Sequence, residues 1–321
     1  GGIINSYSKN NKLGNGDWMI VEADESDGSF LRLPHQINII TNLDLEHLDF
    51  YKTKENLIQA FKQFINNLPF YGYSIMCIDG LDLKFLSKKI KTRKIITYSK
   101  KYINSDVKIN ITKKDKHNTN FYLDVKKNTI ESIQGRLFFK TNLIGDHNIL
   151  NATGAIIASL LAKVPLKSIK QSLISFQGVK RRFTFLGKIN QASIYDDYAH
   201  HPTEIQASYE LAKQISEKKI IVIFQPHRYS RTKLLLNDFI KILKKINILY
   251  ILDIYEAGEK PIKGINSKRL VREISKSKKN IYYFDKNKNL KFALKHYFNE
   301  KNTIIFMGAG SITNLAQSLF K

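Results

Sequence analysis

Apolar positions along the chain follow two spacings. Short apolar runs at residues 18–23, 37–41, 74–78 and 94–98 predict strands, and a helical rhythm over 54–66 predicts a helix after the second of them. From about 107 to 139 the pattern alternates, as in Phe121-Tyr122-Leu123-Asp124-Val125, so β structure with turns is expected there. A long helix is expected from about 147 to 163, stopped by Pro165, and a second from 166 to 176, ending at Gly178.

Beyond this point the alternation is more regular. Strands are expected at 193–197, 219–225, 248–254, 281–284 and 303–307. Helices are expected at 202–217, 231–245, 290–298 and from 312 onward, with a long loop after 254. In the first of these helices Ile205, Tyr209, Ala212 and Ile215 share a face, and Pro202 stands where a first-turn proline belongs. Strand–helix alternation predicts an α/β fold of parallel sheets covered by helices, whose ligands bind beyond the carboxyl ends of the strands. The length of 321 residues suits two domains, and a boundary near 177–180 gives domains 1–178 and 179–321.

Composition narrows the class. Apolar residues make up 43% of the chain, enough for packed cores, so general disorder is excluded. The single Cys77 rules out an intramolecular disulfide framework and fits a reducing, cytoplasmic setting. No apolar run reaches the roughly 18 residues of a membrane helix, so no membrane partner is expected. The net charge of +24 raises a nucleic-acid-binding reading. Its lysines are scattered, as at 113–116 and 276–279, with no arginine-rich stripe or stacking platform. We therefore read solvated lysine faces, with no nucleic-acid partner.

Five clusters carry candidate chemistry. Glu22-Ala23-Asp24-Glu25-Ser26-Asp27 follows the first apolar run, and its clustered carboxylates repel one another unless a cation is near. The same residues also suit a polar helix start. Thr41-Asn42-Leu43-Asp44-Leu45-Glu46-His47 follows the second run, and adjacent strands delivering Glu and His to one edge suit a magnesium and phosphate site. Asn148 and Asn151 lie three apart on a helix start, where paired amides either read an adenine edge or cap the helix.

Arg181-Arg182-Phe183 precedes Asp196-Asp197-Tyr198-Ala199-His200-His201 at a strand end. The two histidines are adjacent and point apart, which favours substrate contact over zinc chelation. Finally, Arg228 and Arg231 open a helix beside His227 and Tyr229, a spacing suited to gripping carboxylate or phosphate. The turn Met307-Gly308-Ala309-Gly310-Ser311 is half a dinucleotide fingerprint and reads as a tight strand-to-helix turn.

Taken together, EADESDGSF (22–30), TNLDLEHLD (41–49), GDHNILNATGA (145–155), RRFTFLG (181–187), DDYAHHPTE (196–204), FQPHRYSRT (224–232) and IYEAGEKPIKG (254–264) resemble the Mur ligases. The resemblance runs over almost the whole chain. It implies the remainder of a central ATP-binding domain followed by a Rossmann-like C-terminal domain, and an ATP-dependent ligase of peptidoglycan synthesis. UDP-N-acetylmuramate, L-alanine and ATP would be the substrates and Mg²⁺ the cofactor. The muramate carboxylate would attack the γ-phosphate, and the alanine amine would displace phosphate from the acyl phosphate as two domains close on the nucleotide. The resemblance places Glu22 and His47 at the magnesium and Asn148 and Asn151 at adenine. It places Arg182 at the phosphates and Asp197 at the ribose, with Tyr198, His200, Arg228 and Arg231 around alanine and the muramate carboxylate. His47, Arg182, His200, Arg228 and Arg231 would form the catalytic set.

A tripeptide-adding relative of cell-wall recycling shares the DDYAHHPT-like text, but the PHRYSRT run favours L-alanine. The chain departs from the family in having Glu46 where Asp is usual. It also contains no G-x-x-x-x-G-K-[ST] loop to cradle phosphates, so a fragment, inactive by itself, is expected.

Overall fold

Strand–helix alternation resolves into two six-stranded sheets. The computed structural model describes residues 2–131, 133–285 and 289–320. These residues form two compact units: Lys12–Gln177, and Gly2–Asn11 together with the chain from Gly178 onward.

In the first unit the sheet runs β1 (Ile37–Ile40), β2 (Tyr73–Cys77), β3 (Lys94–Ser99), β4 (Val107–Lys114), β5 (Thr119–Ile130) and β6 (Ile133–Thr141), in chain order. The first four are parallel, while β4, β5 and β6 form an antiparallel ribbon. One side of the sheet packs Ile75, Tyr98, Ile109 and Phe121 against Ile149, Ile156 and Ile157 of the helix Asp146–Leu161. The other side packs Ile40, Met76 and Ile78 against Leu57, Phe64 and Ile65 of the helix Lys54–Asn66. That helix begins where the Thr53 side chain accepts the Asn56 N–H, and buries the face its apolar spacing predicts.

In the second unit β7 (Thr184–Ile189), β8 (Ala192–Asp197), β9 (Ile220–Phe224), β10 (Ile248–Ile251), β11 (Ile281–Tyr283) and β12 (Thr303–Met307) are ordered β11-β10-β9-β12-β8-β7. All neighbours are parallel except β7 with β8. Residues 220–224 and 303–307 are wholly buried, as expected of central parallel strands covered on both faces. The N-terminal segment adds to this unit: Ile4 bridges Val179, and the Lys180 N–H donates to the Ile3 carbonyl at 2.8 Å.

Three expectations need correction. Residues 18–23 form no strand, and Trp18, Met19, Ile20 and Val21 are exposed, Ile20 to 96%. A β-prone run becomes a strand only when its backbone groups find partners, and here β1 is the edge of its sheet. The helix expected over 231–245 is two helices, Tyr229–Leu234 and Leu236–Leu243. Leu235, at the break, packs in the same core as Phe239 and Leu243. The long loop after 254 contains a helix, Ser267–Ser275, whose Asn266 side chain accepts the Arg269 N–H and whose Leu270 and Ile274 are buried. Among the described residues no helix is long and apolar enough to cross a membrane.

Candidate active-site groups in each unit

In the first unit the candidate groups follow the carboxyl end of β1 and the acidic loop before it. His47 adopts a left-handed backbone (φ 56°) at the start of the short helix Leu48–Tyr51. Its Nε2 lies 3.7 Å from a carboxylate oxygen of Glu25 and 3.7 Å from one of Glu46. One ligand atom from each of the three lies within 4.8 Å of the others. Two carboxylates and an imidazole at this spacing fit a hard divalent cation. The Tyr51 hydroxyl donates to the Glu25 carbonyl at 2.5 Å, tying the acidic loop to the histidine's helix. Burial, and Glu25 after it, pushes the Tyr51 phenol up to about 12, so it stays a donor at neutral pH.

The metal pair expected from the sequence was Glu22 and His47. The structure gathers His47 with Glu25 and Glu46, and exposed Glu22 stands outside this group. Asn148 and Asn151 sit near the start of the helix Asp146–Leu161. The Asn148 side chain donates to the Ile144 carbonyl at 2.8 Å, tying the helix start to the segment before it, while Asn151 is exposed.

In the second unit the carboxyl ends of β8, β9 and β12 lie side by side. Glu204 organises the turn after β8. Its Oε2 accepts the backbone N–H groups of His200 at 3.0 Å and His201 at 3.2 Å, and its Oε1 lies 3.3 Å from Arg182 Nη1. Burial raises the Glu204 carboxyl, but His200, these N–H groups and Arg182 outweigh it and hold it below its usual range. His201 caps the helix Pro202–Ile215 through its ring nitrogen, with Glu204 reaching back to close a capping box. Sequence reasoning assigned Glu204 no role, because a capping box normally announces itself by Ser or Thr at the cap.

From this turn an aromatic row crosses the edge. The Tyr198 ring meets His200 edge-on at 5.1 Å, and His200 meets His227 at 5.6 Å. His227 in turn stacks on Tyr255 at 5.4 Å and 13°. The backbone secures the row, with the Arg228 N–H donating to the Tyr255 carbonyl and the Tyr255 N–H to the Pro226 carbonyl, both at 2.8 Å. Arg231 Nη1 lies 3.2 Å from His227 Nδ1. Burial, with His200, Arg231 and Arg228 nearby, lowers the His227 imidazole to about 4. It is therefore neutral at pH 7, and its Nδ1 accepts from Arg231. Glu259 holds the other side of this segment, accepting the Ser230 N–H at 2.9 Å and its hydroxyl at 2.5 Å.

Tyr198, His200, Arg182, Arg228 and Arg231 are thus brought to one sheet edge, an arrangement of guanidinium groups and imidazoles that suits anionic reactants. Asp197 is the exception. Expected at a ribose, it is 4% exposed, and its carboxylate accepts the Ser208 hydroxyl at 2.5 Å and the Ala199 N–H at 3.0 Å. Burial raises its carboxyl to about 6. These two bonds hold the turn after β8 from inside the fold.

Residues 5–159 match the Mur ligase middle domain, and residues 181–310 match the Mur ligase, glutamate ligase domain. A UDP-N-acetylmuramate–L-alanine ligase of Rickettsia bellii is 43% identical over 338 residues, covering 99% of this chain and 68% of that protein. One from Agrobacterium fabrum is 38% identical over 324 residues, with 99% and 68% covered. The fold is similar to that of the UDP-N-acetylmuramate–alanine ligase MurC of Thermotoga maritima, with a TM-score of 0.77 at 24% identity over 99% of this chain and 66% of that one. It is also similar to MurF of Acinetobacter baumannii, with a TM-score of 0.72 at 16% identity over 92% of this chain and 62% of that one. The chain therefore spans about two thirds of the length of these relatives and, on the family matches and the identity to the Rickettsia and Agrobacterium proteins, it belongs to the Mur ligase family.

Proposed function

We propose that the protein joins L-alanine to the carboxylate of UDP-N-acetylmuramate at the expense of ATP, an early step in building the peptidoglycan precursor. The observation that carries this reading is the braced edge of the second unit, where Arg228 and Arg231 flank the neutral His227 and its aromatic row. Identity of 43% to a relative named for this reaction supports it.

In this reading the muramate carboxylate displaces ADP from the γ-phosphorus to give an acyl phosphate. The alanine nitrogen then adds to the acyl carbon, loses a proton and expels inorganic phosphate. Both steps gather negative charge that fixed guanidinium groups stabilise without reorganising. Arg182, oriented by Glu204, serves the phosphates. Arg228 and Arg231 grip the carboxylates, and Tyr198 and His200 line the approach of the amine. Asn148 and Asn151 are the amides that would meet adenine. His47, with Glu25 and Glu46 or with Glu22, would hold the magnesium ion, which when bound neutralises polyphosphate charge.

The reading is tested by phosphate release from Mg·ATP and UDP-N-acetylmuramate by the complete protein. Release that requires L-alanine supports it, and release that requires a tripeptide in its place moves the protein to cell-wall recycling.

A further inference from the structure

The arginine doublet that opens the second unit shares the Tyr198 ring, the guanidinium carbons standing 4.7 Å (Arg181) and 5.6 Å (Arg182) from its centre, but divides its other contacts. Arg182 is 57% exposed and pairs with Glu204 at the surface. Arg181 turns inward on a left-handed backbone (φ 60°). Its Nη2 donates to the Gly308 carbonyl at 2.7 Å and reaches that of Gly310 at 3.3 Å. Its Nε lies 3.8 Å from Oδ2 of Asp196, a carboxylate that is 2% exposed and accepts the Thr313 hydroxyl at 3.1 Å. Its guanidinium carbon stands 4.7 Å from the centre of the Tyr198 ring, and its own carbonyl accepts the Tyr198 N–H at 2.6 Å. One side chain therefore ties together the end of β8, the turn after β12 and the ring that begins the aromatic row.

Only a guanidinium can make these contacts at once. One nitrogen of its planar fork reaches two carbonyls, its charge lies near the Asp196 carboxylate and its face covers an aromatic ring, whereas an ammonium is a point charge without a face. Gly308 and Gly310 belong to the same clasp. A Cβ at Gly308, where φ is 155°, would lie 2.8 Å from the Gln225 carbonyl, and one at Gly310 would lie 2.5 Å from the Tyr255 ring. The turn held by Arg181 is thus packed against both β9's end and the far end of the aromatic row.

We propose that Arg181 is a positioning residue for the incoming amino acid, acting through Tyr198, and so differs in role from its neighbour Arg182. This rests on the reading of the protein as an L-alanine ligase. In the complete protein, Arg181→Ala raises KM for L-alanine about tenfold and leaves KM for ATP within about twofold, the scale of a lost cation–π contact with its hydrogen bonds. Arg181→Lys does not restore the KM for L-alanine, and it carries the test should the alanine variant fail to fold. If Arg181 acts through Tyr198, adding Arg181→Ala to Tyr198→Ala costs no further affinity for L-alanine.

Multiplying effects in the double variant, restoration by lysine, or an equal rise in every substrate's KM would overturn the proposal while leaving the ligase reading intact. Absence of L-alanine-dependent phosphate release by the unsubstituted protein would overturn the ligase reading and this proposal with it.

Discussion

The two sheet edges that carry the candidate chemistry are built in opposite ways. In the second unit the groups brace one another. Glu204 holds two backbone amides and Arg182, Glu259 holds Ser230, and rings run in contact from Tyr198 to Tyr255. In the first unit Glu25 and Glu46 close on a single imidazole, and the apolar run before the acidic loop lies exposed. One edge satisfies its charges internally, and the other gathers like charges whose repulsion a cation relieves. A site for an anionic substrate can be preorganised by its own hydrogen bonds, whereas a cation site is finished by its ion.

This contrast is open to tests of decreasing size. The largest effect is expected at the braced edge: in the complete protein Arg231→Ala lowers kcat/KM for L-alanine about a hundredfold or more, the range of a lost transition-state charge partner. At the other edge, replacing a ligand raises the magnesium concentration needed for half-maximal rate by about tenfold or more, on the scale of a lost metal partner. Glu25→Gln and Glu22→Gln, titrated with Mg²⁺ side by side, tell which carboxylate is the ligand. The gathered geometry predicts the larger shift for Glu25.

A packing test comes next. Gly310→Ala forces a methyl to within 2.5 Å of Tyr255 and is expected to destabilise the second unit by about 1–3 kcal/mol, read by thermal unfolding.

The last tests are pH slopes of opposite sign, which largely offset one another in the unsubstituted protein. His227 falls from 6.5 to about 4 on folding, so the unfolded chain binds more protons between those values and stability rises with pH across that window. Asp197 rises from 3.8 to about 6, so the folded chain binds more protons and stability falls with pH over nearly the same window. Unfolding temperatures of His227→Gln from pH 4 to 7 should lose the rising component, and those of Asp197→Asn the falling one.

Much of this architecture was legible in the chain, because buried parallel strands are short apolar runs and their helices carry an apolar stripe. Residues 303–307 and the first turn at Pro202 are where the pattern places them. Residues 18–23 were misread because strand propensity says nothing about whether a partner strand stands alongside. In the site, residue types at strand ends pointed to His47, Tyr198, His200, Arg228 and Arg231. Which of Arg181 and Arg182 faces inward was not legible, since the two differ only in the direction the backbone gives them. Glu204 and Glu259 were equally hidden, because a carboxylate that holds backbone amides looks in sequence like any exposed acid.

The central claim is that the guanidinium-lined edge of the second unit serves the joining of L-alanine to a muramate carboxylate. Its most direct test is phosphate release by the complete protein from Mg·ATP and UDP-N-acetylmuramate, comparing the unsubstituted enzyme with Arg231→Ala. The account predicts release that depends on L-alanine and is reduced about a hundredfold at limiting L-alanine by the substitution. Release indifferent to L-alanine, or untouched by the loss of Arg231, would contradict it.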